Sequence, residues 1–448
     1  MVSVGFGLAG LVAVAICILG ASLSLASDLN LDPSVAPSER TGDRFSVFGE
    51  FDARFYSWRG SRGANVFDPT PGRGSQLYLP FTAGINWERP GESRIETRAK
   101  SGYVYSNHLT PGQTASIDTL VDTQITTTYT FLGAELVRPF VGIAVNAPTG
   151  TSFLPGNLRF TRMDPDLVEI GSYGTGWNFN PNAGLVYAMT ENTAVSIGAG
   201  YSWQGPFTKE AVNPDSLFCA PQPCPPSPQF SRPRRIDPGE IVTANINTSS
   251  IFGNLAVKTS LAVMTQSNLQ QDGIDIGKKG ANFVANVSAT YKFDPYWSLT
   301  ANGSWSWNQK DKIYNAVLNT IESEPKNSNS HVVIGSIEPA YALSERVSLA
   351  MNYSALWRLQ NYYNFTEDAF VPAKFKQSVG GVVRWLVSSS SAITLRGSYF
   401  WVHVDDGPYL PVREDTSVLP VTILGYGYTP PSQNYTGWTL ALSGRLQF

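Results

Sequence analysis

The chain has 448 residues, 32 Lys and Arg against 35 Asp and Glu, and a formal net charge of −3. Only 15% of its residues are charged while 12% are aromatic, an unusual balance for a water-soluble fold, where about a quarter of residues are charged. The slightly acidic total argues against a nucleic-acid partner.

Residues 1 to 27 carry no charged side chain. Leu11 to Leu19 is apolar and Ser24-Leu25-Ala26 offers a small-residue cleavage site, so residues 1–26 read as a secretory signal peptide. The competing reading is an uncleaved anchor, since about 20 apolar residues can span a bilayer. Residues 27–43 form a short polar, proline-bearing periplasmic segment, and 44–448 read as one transmembrane unit.

From Arg44 onward, alternating segments of about ten residues follow one another, joined in turn by short and long connections, the rhythm of a barrel with tight periplasmic turns and longer outer loops. In chain order the expected strands are Arg44 to Trp58, Gln76 to Trp87, Arg94 to Tyr105 and Thr119 to Phe131. In the last of these Val121, Ile125, Tyr129 and Phe131 are expected to face outward. Next come Val137 to Ala147, Phe179 to Met189, Ala194 to Trp203, Glu240 to Thr248 and Asn254 to Thr265. Ala281 to Tyr291, Trp297 to Trp307, His331 to Tyr341 and Val347 to Trp357 follow. Phe375 to Val387, Ala392 to His403 and Trp438 to Phe448 complete the set.

The fold class is therefore all-β, a transmembrane antiparallel barrel of about sixteen strands; one missed or spurious hairpin would make it fourteen or eighteen. An even count returns both ends to the periplasm. In the last strand Trp438, Leu440, Leu442, Gly444, Leu446 and Phe448 form an apolar face, against polar Thr439, Ser443, Arg445 and Gln447. Here the chain resembles bacterial outer-membrane barrels, whose last strand usually ends in Phe, which makes Phe448 a candidate assembly signal. The tryptophans sit near strand ends: Trp58, Trp177, Trp203, Trp305, Trp307, Trp357, Trp401 and Trp438 toward the outer side, Trp87, Trp297 and Trp385 toward the periplasm. Indole rings favour the headgroup level, so two aromatic girdles are expected.

Strand alternation assigns Glu50, Asp52, Arg54, Arg94, Glu96, Arg98, Lys100, Arg384, Arg396 and Arg445 to the lumen, with Arg138, Lys258, Glu338 and Arg358. A lumen wall tolerates charge that a lipid face does not. The set is mostly basic, and the Arg94–Arg98–Lys100 ladder suggests a field favouring anions. The alternative is an ion network that stiffens the wall. The third outer loop, residues 148–177, places Phe153, Leu154, Phe160, Met163, Leu167 and Val168 among Arg159, Arg162, Asp164, Asp166 and Glu169. A loop in water gains nothing from such apolar content, so these charged residues are constriction candidates on a loop folded inward.

Cys219 and Cys224, spaced C-x4-C in an exported chain, suggest a loop disulfide. A metal site would need further ligands nearby, so no metal and no cofactor is expected. His403 near Asp405 and Asp406 suggests a base with an orienting acid at the outer rim; solvated turn acids explain the cluster as well, and no enzymatic activity is expected.

Residues 141–203 carry Val141-Gly142-Ile143 leading to Pro148-Thr149-Gly150, then Asn182-Ala183-Gly184-Leu185 and Ser196-Ile197-Gly198-Ala199-Gly200-Tyr201. This stretch resembles a family of outer-membrane transporters associated with the phenol meta-degradation pathway. That family lies near the long-chain fatty-acid transporters, which plug the lumen with a sizeable N-terminal segment; only residues 28–43 stand before the first strand here. The resemblance implies a second reading, transport of small hydrophobic or aromatic compounds. A third is a structural or adhesive surface barrel with a closed lumen. The leading expectation is an outer-membrane channel for passive diffusion of small solutes with mild anion preference. Its partners would be outer-membrane lipid, the barrel-assembly machinery, a small-molecule solute and, as an open question, further copies in a homo-oligomer.

Overall fold

The computed structural model describes residues 43–60, 72–110, 113–134, 136–210, 233–315, 320–367, 369–408, 414–415, 422–423, 429 and 431–448. The expected signal peptide, residues 27–42 of the following segment and the Cys219–Cys224 pair lie outside them.

The strands are β1 (Arg44–Gly60), β2 (Gly72–Arg89), β3 (Ser93–Thr110), β4 (Gln113–Leu120), β5 (Thr123–Phe131), β6 (Val137–Ala147), β7 (Asn178–Thr190) and β8 (Thr193–Gln204). After them come β9 (Phe207–Glu210), β10 (Pro233–Asp237), β11 (Ile241–Phe252), β12 (Leu255–Gln266), β13 (Asn268–Gln271), β14 (Ile274–Lys278), β15 (Asn282–Lys292) and β16 (Trp297–Asn308). The rest are β17 (Lys312–Asn315), β18 (Thr320–Ser323), β19 (Val332–Ala342), β20 (Val347–Arg358), β21 (Lys374–Ser388), β22 (Ser391–Val404), β23 (Glu414–Asp415), β24 (Thr422–Ile423) and β25 (Gln433–Gln447).

Each barrel strand pairs antiparallel with its neighbour in the chain, skipping the short outer strands, and β25 pairs back with β1. Since β4 and β5 both pair with β3 and make one span, the barrel has sixteen spans. The seam is sealed at the last residue: Phe448 N donates to Val47 O at 2.8 Å, and Val47 N donates to Phe448 O at 3.1 Å. Closure matters because an open sheet edge in hydrocarbon would leave backbone groups unpaired.

Residue type decides which face meets lipid. Phe51, Phe81, Ile125, Val141, Ile197, Leu261, Val287, Ile337 and Leu442 are exposed on the outside, and their chain neighbours are mostly polar and point inward. Aromatic contacts gather at strand ends, as at Trp297–Tyr341 (4.7 Å) and Tyr291–Phe293 (4.9 Å) on the short-turn side. Short turns mark the periplasmic side.

Two side chains differ from the sequence reading. Trp58, placed by sequence in the outer aromatic set, is on the inward face, 2% exposed, with Nε1 donating to Met163 Sδ at 3.3 Å. Its even-numbered position on β1 fixes this, because Phe45, Val47 and Phe51 hold the outward set. Val121, expected outward, packs against a buried cluster of Tyr78, Val104, Ile117, Leu154 and Tyr173. The reason is a bulge. Lys100 pairs with Gln124 and Tyr103 with Leu120, so two residues of β3 face three on the partner span. One extra residue reverses the alternation beyond it.

The long connections after β8, β12 and β16 are not plain loops. They rise as ribbons that join in a six-stranded sheet, β18-β17-β14-β13-β10-β9, on the outer side.

Candidate functional site

The site is the lumen and the loop folded into it. The loop leaves β6 and returns to β7, and Asp122, the residue displaced by the bulge, ties its two ends together. The Asp122 carboxylate accepts from Gly150 N at 3.0 Å, Thr175 N at 2.7 Å and Asn146 Nδ2 at 3.0 Å. Gly150 meets the backbone of Tyr173 so closely that a Cβ there would collide with the Tyr173 carbonyl. A larger residue would force the loop's two arms apart.

Between these ends the loop turns through a 3-10 helix, Gly156–Thr161, and then packs on the wall. Met163, Leu167 and Val168 bury against Trp58, Phe400, Val402 and Tyr435 of β1, β22 and β25. Leu154 and Tyr173 bury against Tyr78, Val104 and Ile117 of β2, β3 and β4. Burying such side chains is worth roughly 1.5–3 kcal/mol each, which holds the loop inside rather than in water. Polar contacts fix its register: Gln76 Nε2 donates to Ile170 O at 2.8 Å, and Ile170 N donates to Gln76 Oε1 at 2.9 Å.

The loop's acids are all answered by the wall. Lys374 Nζ lies 2.9 Å from Asp164 and 2.7 Å from Asp166. Lys376 Nζ donates to Asp166 O at 2.5 Å, and Glu169 pairs with Arg54 and accepts from Tyr56. Arg162 turns to Glu210 of β9 at 2.7 Å, and the Arg159 guanidinium stands 4.8 Å from the Phe160 ring centre. Burial, with Arg162 nearby, pulls the Lys209 ammonium of β9 down to about 8.

Most of the other inward charges sit lower on the same side of the barrel. Asp52 pairs with Arg54, Arg94 with Glu88 at 2.8 Å, and Glu50 faces Arg445 at 3.6 Å. Arg98 and Arg445 each stand 5.6 Å from the Phe48 ring centre, and Phe48 lies flat over Gly84, where a Cβ would strike the ring. Glu96 and Lys100 share Arg98's face of β3, opposite Asn86 and Thr82 of β2. Arg384 stands beside Ser348 and Thr394, and Arg396 beside Val382 and Ala441. At the periplasmic rim Arg89 bonds to Asp43 at 3.1 Å and so holds that exposed carboxyl below its ordinary range.

Lys374, Lys376, Tyr56 and Gln76 carry the loop's attachment, and none stood among the sequence candidates. The signal was present in part: Lys374 and Lys376 bracket Phe375 with inward parity, but the expected strand began at Phe375. His403 does meet Asp405, Nε2 to Oδ1 at 3.2 Å, and its Nδ1 bonds Asn434 Oδ1 at 2.8 Å. It pairs with Phe375, beside outward Trp357, so the couple stands outside the lumen.

No protein-family model and no curated protein matches the chain. Among solved structures, an outer membrane channel from Pseudomonas putida F1 aligns over 94% of this chain and 100% of its own, at 10% identity and a TM-score of 0.35. OccAB1 of Acinetobacter baumannii aligns over 92% and 100%, at 10% identity and 0.42. A FadL homologue of Pseudomonas aeruginosa aligns over 90% of each chain, at 10% identity and 0.37. Such distant matches carry no argument about substrate or mechanism. The assignment rests on the molecule itself: a closed barrel with no sheet edge, an apolar outward face that lipid must cover, and charge turned inward. The protein is a sixteen-stranded membrane-spanning β-barrel.

Proposed function

We propose that the barrel is a passive diffusion channel for small hydrophilic solutes, narrowed by the loop of residues 148–177 and mildly selective for anions. The observation that carries this reading is where the loop lies. It packs along β1–β4, β21, β22 and β25, on one side of the barrel, while β11, β12, β15 and β16 form the wall farther round the sheet. A constricting loop fixed to one side of a polar lumen suits a pore that sieves by size. A sixteen-stranded barrel is wide enough for a water-filled channel.

Charge supports the selectivity. The loop carboxylates of Asp164, Asp166 and Glu169 are consumed by Lys374 and Arg54. Below the loop, inward Arg94, Arg98, Lys100, Arg384, Arg396 and Arg445 outnumber inward Glu50, Asp52, Glu88 and Glu96, a balance that supports a positive field there. Planar-bilayer recording tests the reading: stepwise ionic current with a reversal potential shifted toward anions at low salt is expected. A folded barrel that passes no current would contradict it.

A further inference from the structure

On the outside of the barrel, β1 and β2 change character at one level. The outward positions of β1 are apolar from Phe45 to Phe55, and then come Ser57 and Arg59. Those of β2 are apolar from Trp87 to Leu77, and then come Ser75 and Arg73. Pairing puts the two changes in register: Phe55 stands opposite Leu77, Ser57 opposite Ser75 and Arg59 opposite Arg73. Alternation fixes the direction, because Trp58 and Gly74, their chain neighbours, face the inward loop at Met163. Both arginines are exposed. Trp438 of the outer girdle stands opposite Ser57 on β25, its ring 5.0 Å from that of Phe55. Arg59 lies two residues beyond Ser57, about 7 Å farther along the strand.

Side chains directly opposite on a strand pair start about 5 Å apart at Cβ, and like charges so placed destabilise the sheet. Among the described residues neither Arg59 nor Arg73 has an ion-pair or hydrogen-bond partner. The acids around them are placed elsewhere. Asp405 meets His403 on β22. Asp118 of β4 stands opposite Tyr105 of β3, below the Leu109 that pairs with Arg73. Ser57 and Ser75 add two hydroxyls directly beneath the arginines, and Thr436 of β25 adds a third opposite Arg59. An anion held between the two guanidinium groups turns their repulsion into attraction.

We propose that Arg59 and Arg73 form a binding site on the lipid side of the wall for the phosphate of a lipid headgroup, a phosphate monoester in chemical class. Guanidinium groups present planar forks of donors that match phosphate oxygens. A monoester carries about −1.5 to −2 charge and three acceptor oxygens, enough for both forks, where a carboxylate offers two oxygens and one charge. The lipid source follows from what lies beneath. The site opens onto the apolar face of Phe55, Leu77 and Trp438, against which acyl chains lie. A free phosphate would gain nothing from that face. The site is independent of conduction through the lumen and goes beyond the channel reading.

The test uses the purified full-length barrel in nonionic detergent, with dioleoyl phosphatidic acid or dioleoyl phosphatidylcholine added at equal concentration and bound lipid counted by native mass spectrometry. One phosphatidic acid is expected to be retained at a concentration several-fold below that needed for phosphatidylcholine. Arg59→Gln with Arg73→Gln should raise the phosphatidic acid concentration required about tenfold, the order expected for losing charge-assisted hydrogen bonds, and leave phosphatidylcholine unchanged. Arg73→Gln alone is the second variant, should the first fail to fold. Equal retention of the two lipids, or phosphatidic acid retention untouched by either variant, would overturn the site. Inorganic phosphate at the same concentration is expected to leave bound phosphatidic acid in place. Displacement by it would overturn the lipid assignment and mark the pair as a site for free phosphate.

Discussion

Lys374 of the barrel wall and Asp166 of the inward loop stand 208 positions apart in the chain and meet at 2.7 Å. The lysine side chain is 7% exposed and also holds Asp164, so one buried ammonium answers two carboxylates. Removing it takes the shared ammonium away from both acids at the wall. The cost falls between the ~0–1 kcal/mol of a surface pair and the ~3–5 kcal/mol of breaking a buried one, because the acids keep some contact with water.

Lys374→Met should therefore loosen the loop without unfolding the barrel. Limited trypsin digestion is expected to cut at Arg159 or Arg162 in the variant and to spare both in the parent. Heat-modifiable mobility on gels should be unchanged. Equal protection in the two proteins would show that the apolar contacts of Met163, Leu167 and Val168 hold the loop unaided.

The Arg94, Arg98 and Lys100 ladder sets the second expectation. Replacing all three with Gln removes three cations from one face of β3. The reversal potential under a salt gradient should move toward cations, most at low salt, since the Debye length is ~10 Å at 0.1 M and shrinks as salt rises. An unchanged reversal potential would place the ladder off the conducting path.

Phe448 bonds twice to Val47 across the seam and is 82% exposed on its side chain's face. Deleting it removes both bonds and the apolar end of the last strand. The amount of folded, heat-modifiable protein in the outer membrane should drop well below the parent level. Parent levels in the deletion would assign Phe448 no part in assembly.

Lys209 offers a titration. Burial lowers its folded value to about 8 from an ordinary 10.5. Between these values the folded protein binds fewer protons than the unfolded chain, so the stability of the outer sheet rises with pH across the window. Below about 8 the charged form is buried at full cost. Reductive methylation with a 13C label should reveal one dimethyl-lysine resonance titrating near 8, lost in Lys209→Met. A midpoint near 10.5 for that resonance would place Lys209 in water.

Sixteen spans were legible in the sequence because period-two alternation is imposed by lipid on every one of them. The bulge at Val121 was not, because apolar residues fall on both sides of the slip and the alternation reads as continuous across it. The ribbons β9–β10, β13–β14 and β17–β18 were read as loops, since a sheet outside the membrane needs no apolar face. The inward loop announced itself through Leu154, Met163, Leu167 and Val168. Its anchors, Lys374 and Gln76, lie far away in sequence and share no local pattern with it.

A conducting lumen must carry ions past its inward loop. Single-channel recording of the purified, folded barrel in a planar bilayer tests it most directly. Discrete current steps, with a reversal potential on the anion side at low salt, are the expected result. Folded barrel that inserts and yields no steps at any voltage would mark the lumen as closed.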